Sequence, residues 1–306
     1  MKWKYKTINN NGITKGLLYK LYIKQRLSTP KIAEIIKEDK FVVYGLLKRF
    51  KIPTRSISES RMEYPKTKFS GNDFEYGYLM GLRVGDIYAT PHSKQVMIMT
   101  QTTHPSMVDL LFEVFEKYGH VSTTPVLIFN QRFGWHVRCF LDKSFSFLLN
   151  KPKNIPEDII ENYVKFIGFL SGYFDSEGCI VFGRCKNYLK FRLEILSTDF
   201  GILEDIYNKL IELGYHPTLI KINREIYKNG AMLLRLSRRS EILKILKELK
   251  LCHSEKIRKR DLVFRFKDCN KFSLIEKEIR KLRSEIKSEV NKLVKVAETA
   301  YKRGNI

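Results

Sequence analysis

The sequence predicts an α+β protein. Two pseudo-twofold-related αββαββα repeats are preceded by a small helical domain and followed by a long C-terminal helix. Three observations predict this. Two stretches copy each other, Gly77 to Asp86 (GYLMGLRVGD) and Gly168 to Gly178 (GFLSGYFDSEG). The segments C-terminal to each copy recur at a nearly constant offset: Asp86 and Glu177 are 91 residues apart, Gly119 and Gly214 95, Lys143 and Arg239 96. An offset held over a whole unit marks internal duplication. The flanking segments have a different composition, helical in period and rich in Lys and Arg.

The chain in order gives five segments. Residues 1–60 carry fourteen Lys or Arg against four Asp or Glu. Leu17, Leu18, Leu21 and Tyr22 make the apolar face of a first helix. Ser28-Thr29-Pro30 starts a second, with a capping hydroxyl and Pro at the first helical position. That helix carries Ile32, Ala33, Ile35 and Ile36. Glu38-Asp39-Lys40 is a tight turn, and a third helix turns Val42, Val43, Leu46 and Leu47 inward. Lys40, Tyr44 and Lys48 fall at every fourth position on its other face. Two short helices across a tight turn, with a basic-aromatic outer face, resemble a helix-turn-helix DNA reader. Residues 61–71 read as a linker.

Repeat one spans 72–153. After Asp86 the pattern predicts strands at Ile87–Ala89 and Gln95–Gln101, a helix over Pro105–Tyr118, a hairpin of Val121–Phe129 and Arg132–Leu141 turning at Asn130-Gln131, and a short helix over Ser144–Leu149. Repeat two spans 154–255. Its strands fall at Cys179–Phe182, Leu189–Leu196, His216–Ile222 and Ala231–Leu236, with helices over Phe200–Leu213 and Ser240–Leu249. Residues 256–306 form a basic helical extension. Its stripe of Ile275, Ile279, Leu282, Ile286, Val290, Leu293, Ala297 and Tyr301 is closer to a 3.6 than a 3.5 period, so it is expected to pack on the body.

The copied stretches carry the chemistry. Each sets a small residue at every fourth position: Gly77, Gly81, Gly85 and Gly168, Gly172, Ser176. On a helix this is one nearly smooth stripe, which lets two backbones approach closely. Leu79, Leu82, Phe169 and Tyr173 are then free to enter flanking cores. Each stripe is followed by one acid, Asp86 or Glu177. If the helices pair, both acids emerge side by side at C-termini, where the helix dipole disfavours anions. Two such carboxylates repel unless a metal neutralises them. Hard oxygen ligands suit Mg2+ (or Mn2+).

These stretches resemble the two motifs of single-chain LAGLIDADG homing endonucleases. Leu79 to Ile87 and Leu170 to Gly178 lie on the nine family positions. Val84 and Ile87 depart from them, while the acid at the eighth position is kept in both copies. The resemblance covers roughly residues 70 to 255. It implies a metal-dependent endonuclease that cuts double-stranded DNA across the minor groove and leaves 3′ overhangs. It also implies further residues near the metal. Lys143, with Arg239 as its match, falls where the family often has a central lysine. Gln101 falls at a polar position that helps place water, with Ser197 as its counterpart.

The net charge of +23 points to a polyanion partner. On the strands Arg132, Arg138, Arg184, Lys186, Lys190 and Arg192 alternate with aromatics, as suits a ribbon in a major groove. The expected partner is therefore a double-stranded DNA target, bound by a monomer. Intron RNA is the partner if the chain is instead a maturase, and a regulator would use the same scaffold without chemistry. No apolar run approaches a membrane span and no signal-peptide core is present, so an intracellular place is expected. The five cysteines show no zinc spacing.

Overall fold

The chain divides into two units, Met1–Pro65 and Lys66–Ile306. The computed structural model describes residues 13–55, 64–128, 132–222 and 230–304. The turn expected at Asn130-Gln131 lies outside the described residues, as does part of the 61–71 linker.

In the first unit, α1 (Lys15–Tyr19) starts at Thr14, whose hydroxyl accepts from the Leu17 amide, and runs on through a π-helical turn, Lys20–Lys24. Ser28 caps α2 (Thr29–Ile36) and Asp39 caps α3 (Lys40–Arg49). Lys37 ends α2 in the left-handed region at φ 54°, which makes the sharp turn between them. Leu18, Leu21, Tyr22, Ile32, Ala33, Val43, Leu46 and Leu47 close a small core. Of the apolar residues that carry α2, Ile35 is 56% exposed. Lys40, Tyr44 and Lys48 share the exposed face of α3, with the Lys48 ammonium 4.7 Å from the Tyr44 ring centre.

The second unit opens with α4 (Asp73–Val84), capped by the Asn72 side chain on the Glu75 amide. Then come β1 (Tyr88–His92), β2 (Gln95–Thr102), α5 (Pro105–Phe115), β3 (Val121–Ile128), β4 (Arg132–Asp142) and a 3-10 helix, Lys143–Leu148. After the short α6 (Glu157–Glu161), the order repeats: α7 (Tyr163–Glu177), β5 (Gly178–Cys185), β6 (Tyr188–Ser197), α8 (Phe200–Glu212), β7 (Thr218–Ile222), β8 (Ala231–Leu236) and α9 (Arg239–Glu248). Two helices complete the chain, α10 (Ser254–Arg265) and α11 (Phe272–Gly304).

The strands form two four-stranded antiparallel sheets, ordered β1-β2-β4-β3 and β5-β6-β8-β7. Alternation is strict on the central strands. Val96, Ile98 and Thr100 of β2 and Leu189, Phe191, Leu193 and Ile195 of β6 are buried, and their neighbours face outward. The buried faces join one core with α4 and α7.

Those two helices lie backbone to backbone, and their contacts are reciprocal. A Cβ on Gly81 would collide with the Phe169 carbonyl, and one on Gly172 with the Tyr78 carbonyl. Tyr78 and Phe169 are themselves equivalents at the offset of 91. Gly77 meets Lys165 and Gly168 meets Phe74 in the same exchange of roles. This is the pseudo-twofold written in steric terms: each helix needs its glycines where the other sends a carbonyl.

The stripe on α11 is packed on the body. Ile275, Ile279, Leu282 and Ala297 are buried. The helix starts at the β5–β6 hairpin, where the Phe272 amide donates to the Asn187 carbonyl at 3.0 Å. It ends beside β4, where Trp135 Nε1 donates to the Leu293 carbonyl at 3.3 Å and Phe133 meets Tyr301.

Candidate acidic centre and nucleic-acid interface

Glu177 is the last residue of α7, and Asp86 lies just past Gly85, the residue that ends α4. Gly85 packs against Ser176 and the Glu177 side chain, so the two acids leave the helix pair at the same end. Any larger residue than Gly at 85 would collide with Ser176.

Three side chains shape this end, none of them singled out by the sequence. Arg83, one turn before Asp86, is buried; its Nε donates to the Leu148 carbonyl at 2.6 Å and its Nη1 to the Ile87 carbonyl at 3.1 Å. It ties the chain on both sides of the acid. The equivalent position in the second copy, 174, is Phe. There the cation comes from α10: Lys256 Nζ donates to the carbonyls of Phe174, Asp175 and Ser176 at 2.6, 2.5 and 3.0 Å. A buried ammonium on the last carbonyls offsets the negative end of the helix. The missing cation at 174 was a legible signal, but nothing in the run Lys256 to Arg260 said which residue would supply it. Third, Asp175 Oδ2 accepts from the Tyr78 hydroxyl and from the Cys252 amide, each at 2.7 Å. It links both motif helices to the segment leading into α10.

Electrostatics reflect this crowding. Burial of the carboxyl among its neighbours pushes Asp86 above the usual range, although the residue as a whole is exposed; Lys256, His104 and Lys151 pull it back. Glu177 is pushed up to about 7, first by burial and then by the Asp86 charge, against the pull of Lys256. Lys256 is lowered to about 8 by burial. Two hard carboxylates at one end of the helix pair, both raised by burial and Glu177 also by the Asp86 charge, are a donor pair that a divalent cation would relieve. Among the described residues no group of three or more His, Cys, Asp or Glu converges on one point. Mg2+ commonly takes one or two carboxylates, with water and phosphate oxygens filling the rest.

The structure sorts the other expected residues. Continuing the ladder from Tyr88↔Met99 sets Gln101 level with Asp86, exposed and on the outward face. The same ladder from Gly178↔Ile195 sets Leu196, not Ser197, level with Glu177. Ser197 has the wrong parity: it is buried on the helix side. Lys143 is not brought to the acids. It follows Asp142, which pairs with Gln95 at the far end of β2, roughly 20 Å along the strand from Gln101. Arg239 is also remote and is engaged in holding the fold. It donates to the carbonyls of Lys267 and Leu189 and to Asn270, and stacks over Phe191. The exposed cation whose charge does reach both acids is Lys151, paired with Asp199 at 3.0 Å.

Of the strand cations, Arg138, Lys190 and Arg192 lie on the outward faces, and Arg132 is exposed at the start of β4. Lys186 sits in the β5–β6 turn at φ 55°. Arg184 corrects the ribbon expectation: it has the parity of buried Phe182, donates to the Lys186 carbonyl and rests over Phe272. A cation not anticipated, Arg235, sits on the outward face of β8 and holds Glu194 at 2.8 Å, while Arg192 holds it from the other side at 3.3 Å. No helix among the described residues is long and apolar enough to cross a membrane.

In sequence, no curated protein matches the chain. In backbone it is similar to I-DmoI in complex with DNA and Ca, at 17% identity over 58% of this chain and 89% of that chain, TM-score 0.40. It is similar to the homing endonuclease I-WcaI bound to its DNA recognition sequence, at 18% identity over 60% and 82%, TM-score 0.44. It is also similar to the N-terminal LAGLIDADG domain of DUF199/WhiA, at 17% identity over 65% and 93%, TM-score 0.41. Residues 166–250, which take in most of the helix that ends in Glu177 and the sheet after it, match the family model of the LAGLIDADG-like domain.

Proposed function

We infer that the chain is a divalent-metal-dependent endonuclease that cuts both strands of a specific DNA duplex across its minor groove, leaving 3′ overhangs. The observation that carries this reading is the reciprocal glycine contact of α4 and α7, with Asp86 and Glu177 at one end of the pair. A pure scaffold has no use for two repelling carboxylates held at one end of a helix pair by five glycines and a buried lysine. A divalent cation bound by the two acids would supply charge relief on the phosphate and a more acidic water.

The chain's own groups do the remainder. Arg83 and Lys256 hold the helix ends in place, Lys151 adds positive charge beside the acids, and Gln101 is in register to orient a water on the Asp86 side. Leu196 cannot do so on the Glu177 side, so the two strands are cut at unequal rates. The outward faces of the sheets and the exposed face of α3, with Lys40, Tyr44 and Lys48, supply phosphate and base contacts; the α2–α3 pair acts as a helix-turn-helix reader.

The test is incubation of the protein with a randomised duplex library and Mg2+, then sequencing of cut ends. Short 3′ extensions around one consensus support the reading. Blunt or 5′-extended ends refute the geometry. Failure to cut DNA, together with tight binding to structured intron RNA, would make the chain a maturase.

A further inference from the structure

The outward faces of the two sheets differ row by row. Register defines the row beside each acid. In the first sheet Gln101 pairs with His136, which pairs with Thr124. In the second, Leu196 pairs with Leu233, which pairs with Ile220. The offsets between the rows, 95, 97 and 96, are those of the duplication, so the positions are equivalents. One row is polar throughout and the other aliphatic throughout. Ile220 is 38% exposed, and Leu196 and Leu233 line a groove with Glu177, Cys179 and Arg235.

A contiguous aliphatic row on an outward face, rimmed by polar residues, marks an interaction site. The next row outward contains Glu194 and Arg235, with Arg192 bound to the same carboxylate. Aliphatic groups bordered by arginines, in a chain of net charge +23, match the edge of a duplex better than the surface of another protein. In the major groove the one apolar group a base pair offers is the thymine C5-methyl.

We propose that Leu233 and Ile220, beside Leu196, take thymine methyl groups in the base pairs just outside the cut on the Glu177 side, while His136 and Thr124 read the Asp86 side by hydrogen bonds. Leu233 and Ile220 are then specificity-determining residues, and the target is asymmetric at its centre. Outward residues on a strand advance about 6.8 Å per pair of positions, close to two base-pair steps of about 3.4 Å. The preference for thymine is therefore confined to about two adjacent pairs, and the arginine row reads those beyond. This proposal rests on the endonuclease reading.

The experiment uses the full chain carrying Asp86→Asn, so that bound DNA is not cut, and a randomised duplex library. The expected consensus has thymine in one inner half and not in the other. Replacing those thymines by deoxyuridine, which removes only the methyl, weakens binding about fourfold per methyl. The double variant Leu233→His, Ile220→Thr, which copies the first sheet, binds the two duplexes alike. A consensus without thymine in either inner half, equal binding of thymine and deoxyuridine, or a double variant that discriminates as the parent does would overturn the proposal and leave the endonuclease reading standing. Recovery of no consensus at all would overturn both.

Discussion

Lys256 Nζ donates to the Phe174 carbonyl at 2.6 Å and so closes the C-terminus of the helix that ends in Glu177. The first copy needs no such loan, because Arg83 lies within its own helix. Lys256→Met keeps the volume and removes the charge. Three carbonyls, two of them in buried hydrogen bonds, lose their donor, and stability falls by about 2–4 kcal/mol. Both acids lose a cation that lowers their proton affinity. The proton affinity of both acids should rise, so the pH dependence of divalent-ion binding should shift to higher pH. Calorimetric titration of the ion across pH reads this. A variant with lower stability but an unchanged pH profile would make Lys256 a packing residue alone.

Glu177 sets a stability cost that the fold tolerates. Its folded-state pKa of about 7 lies above the ordinary 4.5. A raised pKa means that the native state binds the proton more tightly. The associated stability is full below pH 4.5 and is lost as pH rises through 7. In metal-free buffer the loss should be on the order of 1–2 kcal/mol after solvent screening. Glu177→Gln removes it, so the variant should be the more stable protein at pH 8 and no more stable at pH 4. Urea unfolding at the two pH values checks this. An equal pH response in both proteins would show that the carboxylate is not held as described.

The glycine contacts give a steric prediction. Gly81→Ala and Gly172→Ala each place a methyl against a carbonyl of the partner helix. Helix propensity alone would favour alanine by roughly 1 kcal/mol. The clash outweighs it, and each variant should lose about 3 kcal/mol or more. Thermal unfolding decides it: a gain in Tm for either variant would mean that the helices are not in backbone contact.

Much of the fold was legible because it rests on local periodicity. The glycine spacing gave the helix pair, and alternation gave the strands. The duplication offset gave their order. The misplaced residues fail for one reason: chain offset does not fix where a strand end lies relative to a helix end. Lys143 and Arg239 are equivalent to each other, yet both lie at the outer ends of their sheets. Ser197 was one residue off, and a one-residue slip exchanges the faces of a strand. Arg184 sits where a hairpin turns its guanidinium onto Phe272. Lys256 and Lys151 act across tertiary contacts, to which no local pattern points.

The exposed face of α3 makes a prediction about salt. Lys40→Gln with Lys48→Gln removes two cations from that face without touching the buried Val43, Leu46 and Leu47. If both touch phosphate, the slope of log affinity against log salt should flatten by about 1.8. Fluorescence anisotropy with a long duplex measures it. An unchanged slope in a folded variant would remove the first unit from the DNA-binding surface.

If Asp86 and Glu177 form one acidic centre that cuts DNA, cleavage needs both and binding needs neither. The direct measurement is cleavage of a plasmid carrying the selected target by the parent protein, Asp86→Asn and Glu177→Gln, each with Mg2+, alongside binding to the same duplex without metal. Each variant should lose double-strand cleavage and bind nearly as tightly as the parent, since the proposed phosphate contacts lie on the sheets and α3 and not on the acids. Full linearisation by either variant would contradict the account.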